Sequence, residues 1–505
     1  MDDPVIRIAG GAVRGRLEGG VAVFRGMPFA LPPVGELRFA APHPVPPWDG
    51  VRDAGEFGPP PPQSRLTPML LPPLASAADP SDWLTVNVWS PSLGATGSAE
   101  GRAASTEGRA ALPVMVWIYG GAYRAGTSAQ ALYDGTRLAE RGVIVVTFNH
   151  RVGVEGFAQL PGRPANRGLL DDVAALRWVR ENIASFGGDP GNVTVFGESA
   201  GAGAIAALLV MPSATGLFRR AIVQSFPGTF FTPALATDIT EAIAAAAGIP
   251  ATTEAFAATA PDRLAAASDA VVTGDHPRWG PVALSNVPFS PVVDGEVLPT
   301  TPWQALATGT ARDVDLLTGH NRDEYRLFLE FSGLRGKITP EMAGQLIDVL
   351  VPGDGEKAYR TAYPDADAET LYELVFSDWL FRIPTLHLAQ AHAAGGGATF
   401  LYELVYAGGA LGACHALDVP LVFGAMNELG FLLGQQPQAA VTELGDLMRS
   451  EWTAFAATGD PGWQGYAPGR RMTRIYDTEP DVAPYPEVAS MHIWDQQRLG
   501  RIDLD

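Results

Sequence analysis

Cysteine is almost absent from this chain, since Cys414 is the only one among 505 residues. A single cysteine excludes a disulfide within the chain and fits a reducing compartment. No basic stretch leading into an apolar core opens the sequence, so we expect no secretory signal and a cytoplasmic protein. No apolar run reaches the roughly 18 residues that a membrane span needs, and the run 202–211 is too short.

Positive charge is also scarce. The chain has 35 lysines and arginines against 55 aspartates and glutamates, a net charge of −20. This balance argues against nucleic acid and anionic membranes as partners, but it does not identify a substrate. Hydrophobic residues make up 47% of the chain, enough for a large core. The length alone suggests about three domains, yet large α/β folds are often one unit, and we expect a single domain over 1–505.

Residues 193–203 carry the clearest local signal. Val193 to Phe196 are β-branched and aromatic, as in a buried strand, and the small and apolar residues from Ala202 onward suit a buried helix. Between them lies Gly-Glu-Ser-Ala-Gly, with Ser199 at its centre. Glycines on both sides permit a tight, strained turn that exposes the serine hydroxyl. The pattern predicts a nucleophilic serine at the carboxyl edge of a sheet.

Short apolar strands alternate with helical stretches along most of the chain. Such alternation predicts a parallel sheet covered by helices on both faces. The predicted strands are 84–89, 114–118, 143–149, 193–196, 221–224, 315–318 and 400–405. We expect a small antiparallel start within 5–51, and mainly helical insertions over the active site at 226–288 and 338–394. From 424 to the C-terminus we expect helix followed by irregular structure.

A serine hydroxyl becomes a nucleophile when a base takes its proton and an acid holds that base in one tautomer. In enzymes with a serine at such a strand-to-helix turn, the order along the chain is serine, acid, histidine. Of the eight histidines, His415 lies on a loop beyond a predicted strand, in a position to reach the serine. Asp323 and Glu324 share a loop after another strand, and on chemistry alone either serves as the acid.

An oxyanion hole needs backbone N–H groups aimed at one point. Gly-Gly-Ala at 120–122 follows the predicted strand 114–118 and allows the backbone to come that close. Taken singly, a glycine pair, an acidic pair and a loop histidine are more often ordinary turn or surface residues. Their joint placement around a Gly-x-Ser-x-Gly turn favours the catalytic interpretation.

Longer motifs extend this pattern across the chain. They are Phe-Arg-Gly-Met-Pro-Phe-Ala at 24–30, Pro-Val-Gly-Glu-Leu-Arg-Phe at 33–39, Asn-His-Arg-Val-Gly at 149–153, Asn-Arg-Gly-Leu-Leu-Asp at 166–171 and Phe-Gly-Gly-Asp-Pro-Gly-Asn-Val-Thr at 186–194. Jointly they resemble the type-B carboxylesterases, the cholinesterase-like branch of the α/β-hydrolases, over nearly the full length. The resemblance implies an α/β-hydrolase fold, with a large, mostly parallel central sheet covered by helices on both faces and helical insertions over the active site.

The resemblance also implies roles for the candidate residues. Ser199 is the expected nucleophile and His415 the expected base. Glu324 rather than Asp323 is the expected acid. These roles imply ester hydrolysis in two steps through an acyl-enzyme. No metal or organic cofactor is implied, and the expected partner is a small-molecule ester.

Further residues take supporting roles by the same resemblance. The expected oxyanion amides are those of Gly121, Ala122 and Ala200. Glu198 resembles the family's buried glutamate beside the nucleophile. Ser225 resembles its second serine, which lies near the histidine.

The chain departs from the family pattern where that pattern has a disulfide. Trp83 and Pro61 stand in the places of the two usual cysteines. Both cysteines of this disulfide are therefore absent, as expected of an intracellular bacterial-type member. The loop they would close has no tryptophan before Trp83 to stack on choline, which argues against cholinesterase activity. Tyr119 stands where many bacterial members have histidine and leaves the glycines intact.

Aromatic residues near the candidate site are the best indication of a substrate, although such clusters are more often core. Candidate pocket residues are Phe226, Phe230, Phe231, Phe328, Phe331 and Trp379. The apolar loop residues 69–71 are candidates for the mouth of the pocket. If these residues line the site, the expected substrates are esters of short to medium acyl chain, including aryl and p-nitrobenzyl-type esters.

Two other functions stay open at this point. A catalytically inactive binding module can share the fold, as in neuroligin-like relatives, although those lack the serine. An amidase, lactonase or transacylase can use the same triad, because the fold fixes the mechanism and not the leaving group. As the assembly we expect a monomer or a weak homo-oligomer.

Overall fold

A large mixed sheet forms the centre of the molecule, which is known from a computed structural model. The structure describes residues 3–63, 81–93, 110–274, 276–285, 287–351, 353–428, 430–433, 439–495 and 499–504. Its strands are β1 Val5–Ile8, β2 Gly11–Arg14, β3 Arg16–Glu18, β4 Val21–Pro28, β5 Val51–Asp53, β6 Thr85–Ser90, β7 Leu112–Ile118, β8 Ile144–Phe148, β9 Gly188–Glu198, β10 Arg220–Gln224, β11 Asp315–Asn321, β12 Thr399–Leu404, β13 Met472–Tyr476 and β14 Asp481–Pro484.

Eleven strands pair in the order β14-β13-β12-β11-β10-β9-β7-β8-β6-β4-β3. The middle strands, from β13 to β8, run parallel, and antiparallel strands close both ends. Strands β1, β2 and β5 form a separate small sheet. The mostly parallel sheet of the prediction is therefore confirmed. Parallel strands have their carboxyl ends at the same edge of a sheet. The segments that follow β7, β9 and β11 therefore meet at that edge.

Helices occupy the connections between the strands and both predicted insertions. They are α1 Thr136–Ala139, α2 Gly153–Phe157, α3 Arg167–Asn182, α4 Ala200–Leu208, α5 Pro233–Ala247, α6 Thr253–Ala258, α7 Pro261–Val272, α8 Pro281–Ser285, α9 Pro302–Ala307, α10 Arg326–Phe331, α11 Pro340–Leu350, α12 Gly355–Ala362, α13 Ala368–Ser377, a π-helix Asp378–Arg382, α14 Ile383–Ala394, α15 Asp418–Phe423, α16 Gly430–Leu433, α17 Ala439–Thr458 and α18 Val488–Trp494. Helices α5 to α8 lie within 226–288, and α11 to α14 lie within 338–394. That the chain is one domain stays a prediction.

Alternate side chains of the central strands enter two separate cores. On β7, Val114 and Val116 pack into one cluster with residues of α3 and α4. Met115 and Trp117 point to the opposite face and pack with residues of α15 and α17. Both faces of the sheet are therefore buried under helices, which explains why β7 is apolar at every position from 114 to 118.

The prediction for the C-terminal region is wrong in part. Helices α16 and α17 follow residue 424, but β13, β14 and α18 lie in the part expected to be irregular. β13 adds to the parallel sheet beside β12, and β14 closes the edge antiparallel to it. Both strands are short and partly exposed, so pairing with β12 rather than a strong apolar pattern determines their structure.

Two kinds of feature are absent from the described residues. None of their helices is long and apolar enough to cross a membrane. No group of three or more histidine, cysteine, aspartate or glutamate side chains among them is arranged to hold a metal ion.

A buried ion pair joins the end of β8 to α3. Arg151 and Asp171 are both fully buried. The Nε and Nη2 atoms of the arginine donate to the two carboxylate oxygens at 2.8 and 2.7 Å. The Arg151 amide N–H donates to the same carboxylate at 3.0 Å. Side chain and backbone thus use one acid to hold the loop that follows β8.

We expect Arg151→Met to lower the free energy of unfolding by about 3–5 kcal/mol, because it leaves the Asp171 carboxylate buried without its partner. Arg360→Met is the matched control, since Arg360 pairs with Glu356 at 3.0 Å on an exposed helix face. It should cost less than about 1 kcal/mol. Urea unfolding of both variants measures the difference, and equal losses would contradict the role given to the buried pair.

Candidate active site

Ser199 lies in the turn between β9 and α4 in a backbone conformation that few side chains adopt. Its φ is 55° and its ψ is −126°, outside the ordinary regions for a residue with a Cβ. A Cβ on Gly197 or Gly201 would lie 2.6 or 2.0 Å from the carbonyl oxygen of Ile118, so only glycine fits there. Ser199 is half-buried, whereas every other residue from 193 to 211 is buried. The turn therefore presents the serine at an accessible surface.

The predicted oxyanion amides lie on two sides of this turn. Gly121 and Ala122 follow β7 with φ values of 123° and 55°, and both are half-buried. A Cβ on Gly120 would lie 3.0 Å from the Cβ of Ser199, so this loop packs against the serine. The N–H groups of Gly121 and Ala122 have no hydrogen-bond acceptor among the described residues. Ala200 begins α4, where the first N–H groups of a helix have no acceptor within it.

Glu324 follows β11 and is fully buried. Its Oε2 atom lies 2.6 Å from Nδ1 of His415. Its Oε1 atom accepts hydrogen bonds from the Ser225 hydroxyl at 2.6 Å and from the Asn321 amide N–H at 2.8 Å. These contacts fix the carboxylate toward the imidazole. Ser225 thus contacts the acid directly, and the histidine only through it.

Asp323 has a different role. Its carboxylate accepts hydrogen bonds from the Ala413 amide N–H at 2.9 Å and from Arg326 at 3.2 Å. Its own N–H donates to the Ala413 carbonyl at 2.8 Å. Asp323 therefore fastens the loop before His415 to the loop after β11. Of the two acids that the sequence leaves open on chemistry, the structure brings Glu324 to the histidine.

The imidazole of His415 is fully buried between two carboxylates. Nδ1 faces Glu324, and Nε2 lies 2.9 Å from Oε1 of Glu198 as an ion pair. Burial lowers the pKa of His415, but the two carboxylates outweigh burial and raise this pKa to about 10. The two carboxylates therefore favour the protonated form of the histidine in this arrangement. Within the described chain, Nε2 makes no aligned hydrogen bond, and none joins it to the Ser199 hydroxyl.

Two phenylalanine rings pack on the imidazole of His415. The ring centroids of Phe381 and Phe328 lie 4.4 and 5.1 Å from it. Phe328, Phe331 and Trp379, which the sequence suggests as pocket walls, are all half-buried. Of these three, Phe328 is the one with a ring contact to the candidate triad.

The other suggested pocket residues belong to the core. Phe226, Phe230 and Phe231 are at most 1% exposed. The rings of Phe226 and Phe230 pack against Trp303 at centroid distances of 5.4 and 5.5 Å. A side chain without accessible surface does not line an open pocket, so the core interpretation fits this cluster. Residues 69–71 lie outside the described residues.

Sequence reasoning missed Asn321 and Phe381. The amide N–H of Asn321 binds Glu324, and its side chain donates to the Cys414 carbonyl at 2.7 Å. The one signal for Asn321 is its position at a strand end, three residues before an acid, which is common in loops. Phe381 lies in the π-helix, far along the chain from every recognised motif. Only the tertiary structure brings it to the histidine.

Comparisons with known proteins agree on one family. The sequence model of the carboxylesterase family matches residues 2–477. Para-nitrobenzyl esterase of Bacillus subtilis (strain 168) is 35% identical over 505 residues, covering 96% of this chain and 97% of that protein. Fumonisin B1 esterase of Sphingopyxis macrogoltabida is 35% identical over 491 residues, covering 91% of this chain and 83% of that protein. The crystal structure of the Geobacillus stearothermophilus carboxylesterase EST55 aligns with a TM-score of 0.83 and 33% identity, covering 97% of this chain and 99% of that chain.

We expect Glu198→Gln to move the acid limb of the kcat/KM profile to lower pH, by about 1 pH unit or more. Glu198 is one of the two carboxylates that raise the pKa of His415. Removing its charge lowers that pKa, so the imidazole becomes a free base at lower pH. Hydrolysis of p-nitrophenyl acetate across pH measures the limb. The exposed Glu181→Gln is the control and should leave it in place. An unchanged limb in Glu198→Gln, or a move to higher pH, would contradict this electrostatic account.

Proposed function

The chain belongs to the carboxylesterase family and is a carboxylic ester hydrolase, and we propose that Ser199, Glu324 and His415 are its nucleophile, acid and base. The observation that carries the proposal is the turn at Ser199. It combines strained backbone at a half-buried serine with close amides at Gly121 and Ala122 that find no acceptor in the described part of the chain. The buried Glu324–His415 pair is next to this turn, since Nε2 of His415 lies 2.9 Å from Oε1 of Glu198, the residue before Ser199.

In the proposed reaction, Ser199 Oγ attacks the ester carbonyl while His415 takes its proton. In this step the imidazole is neutral, its Nε2 proton having passed to solvent, and Nε2 accepts the hydroxyl proton of Ser199, the residue that follows Glu198. Glu324 holds Nδ1 and keeps the tautomer in which Nε2 accepts. The proton then passes to the departing alcohol. Water, deprotonated by His415, attacks the acyl carbon and releases the acid from Ser199.

Negative charge develops on the former carbonyl oxygen during both steps. The amides of Gly121, Ala122 and Ala200 are the proposed donors to this oxygen. Donors of this kind, fixed in place before the reaction, typically contribute about 10²- to 10³-fold each. The positive φ of Ala122 is held by tertiary contacts, among them the hydrogen bond from the Gly153 amide to the Tyr123 carbonyl at 2.6 Å.

Esters of short to medium acyl chain, including aryl and p-nitrobenzyl-type esters, are the proposed substrates. The half-buried ring of Phe328, next to His415, supports a flat or compact group beside the reacting carbon. The name of the Bacillus subtilis relative, para-nitrobenzyl esterase, points to the same class. A cytoplasmic location, and a monomer or weak homo-oligomer as the assembly, complete the proposal. The single cysteine, Cys414, supports the location and is buried.

We expect Ser199→Ala to reduce hydrolysis of p-nitrophenyl acetate by about 10⁴- to 10⁶-fold without unfolding the protein, because no other hydroxyl occupies the turn. Steady-state rates and circular dichroism measure the two effects. Ser332→Ala, which changes a serine in the helix-end segment after α10, should keep full activity. A Ser199→Ala enzyme that retains more than a few per cent of the rate would contradict the assignment.

We expect rates on p-nitrophenyl esters from acetate to palmitate to peak at short or medium chains. Phe328→Ala should move the peak to longer chains, because it removes the ring that occupies space beside His415. A wild-type peak at palmitate would contradict the proposed substrate class. If no ester is turned over although Ser199 reacts with a fluorophosphonate, the triad serves another acyl substrate, such as an amide or lactone.

A further inference from the structure

A π-helix of five residues, Asp378–Arg382, interrupts the long helical stretch α13–α14. The Ile383 amide N–H donates to the Asp378 carbonyl, five residues earlier. Pro384, at the start of α14, has no N–H to continue the regular ladder. Such π-segments are rare and occur frequently at functional sites. We call Asp378–Arg382 the π-turn.

The π-turn and the residues beside it contact His415 and the residues that follow Glu324 and Ser225. The Phe381 ring packs on His415. The hydroxyl of Ser377 accepts a hydrogen bond from the amide N–H that follows Glu324, at 3.0 Å. The hydroxyl of Thr385 accepts one from the amide N–H that follows Ser225, at 3.2 Å. This segment therefore forms one wall of the acid–base pair.

The loop after β10 is also fastened to the π-turn. The Gly228 amide N–H donates to the Leu380 carbonyl at 2.8 Å. A Cβ on Gly228 would lie 2.4 Å from the ring of Pro384, so the two segments are in direct contact. A displacement of the π-turn would therefore move this loop, and it would also move Phe381, which is part of the π-turn.

Arg382 holds the π-turn in place through buried and half-buried carboxylates. Its guanidinium is fully buried and forms ion pairs with Asp378, at 3.3 Å, and with Glu487. Asp378 also accepts a hydrogen bond from the Tyr359 hydroxyl at 2.7 Å, which in turn accepts one from the Trp494 indole at 2.8 Å. Two of these partners, Glu487 and Trp494, are in the C-terminal segment around α18.

This C-terminal segment is outside the region that the family match covers. The match ends at residue 477, whereas Glu487 and Trp494 follow β14. The π-turn is thus anchored to residues beyond the end of that match. Arg382 and Asp378 are fully buried and Glu487 is half-buried, so salt screens the Arg382–Asp378 pair only weakly.

We propose that Arg382 is a positioning residue for the catalytic base. By tying the π-turn to Glu487 and α18, it holds Phe381 against His415 and thereby sets the place of the imidazole beside the serine turn. The inference rests on the proposed function, because it assigns to Phe381 the orientation of the proposed base. Among the described residues, the ion-pair partners of Arg382 are Asp378 and Glu487, and none is a member of the triad.

The test is a double-mutant cycle of Arg382→Met and Phe381→Ala, with kcat and KM for p-nitrophenyl acetate expressed per site titrated by a fluorophosphonate. Normalising per titrated site removes the effect of any unfolded fraction. Each single variant should lose about 10- to 100-fold in kcat, with KM changed less than threefold, because a misplaced base slows chemistry rather than binding. The kcat of the double variant should be no lower than that of the slower single variant. Both substitutions interrupt the same series of contacts, from Arg382 through Phe381 to His415, so their effects should not add.

Two further variants keep the test decisive. Glu487→Gln removes one anchoring charge while leaving the Arg382–Asp378 pair, and it replaces Arg382→Met if that protein does not fold. It should also lower kcat per site, and its loss should vanish in the Phe381→Ala background. Arg360→Met, on an exposed helix face, should match the wild type.

An unchanged kcat per site in the Arg382 and Phe381 variants, or losses that multiply in the double variant, would overturn the inference. A wild type that hydrolyses the ester without labelling at Ser199 would overturn the proposed function instead.

Discussion

The close approach of two backbone segments determines how the active site is built. The carbonyl oxygen of Ile118, at the end of β7, lies where a Cβ on Gly197 or Gly201 would collide with it. This approach brings the loop after β7 against the turn after β9. The strained serine therefore packs against the loop that carries the amides of Gly121 and Ala122, which have no acceptor among the described residues, and most of the chemistry proposed for this chain depends on that.

Charge is arranged in the interior around the same edge of the sheet. His415 lies between Glu198 and Glu324, and their charges raise its pKa and favour its protonated form. Behind it, Arg382 is buried among carboxylates that anchor the π-turn. Separating a buried ion pair leaves an unpaired charge in a low-dielectric interior, which costs much free energy. These contacts therefore favour one fixed geometry. The packing of Phe381 on His415 connects the two networks.

Features that depend on local backbone geometry can be predicted from the local sequence. The strand, glycines and helix around Ser199 are readable because each has its own pattern, and the resemblance separates Glu324 from Asp323. Other features depend on distant contacts. β13 and β14 are short and partly exposed, and they exist because β12 offers an edge. The contact of Phe381 with His415 arises from a π-turn, whose only local sign is Pro384, and no spacing rule relates the two residues.

The most direct test of the account is to map the adduct that a fluorophosphonate forms on the wild-type protein, by intact mass and peptide mass spectrometry. The account predicts one phosphonyl group per chain, attached to Ser199, with ester hydrolysis lost in proportion to labelling. An adduct on another serine, or full ester hydrolysis with Ser199 unlabelled, would contradict it.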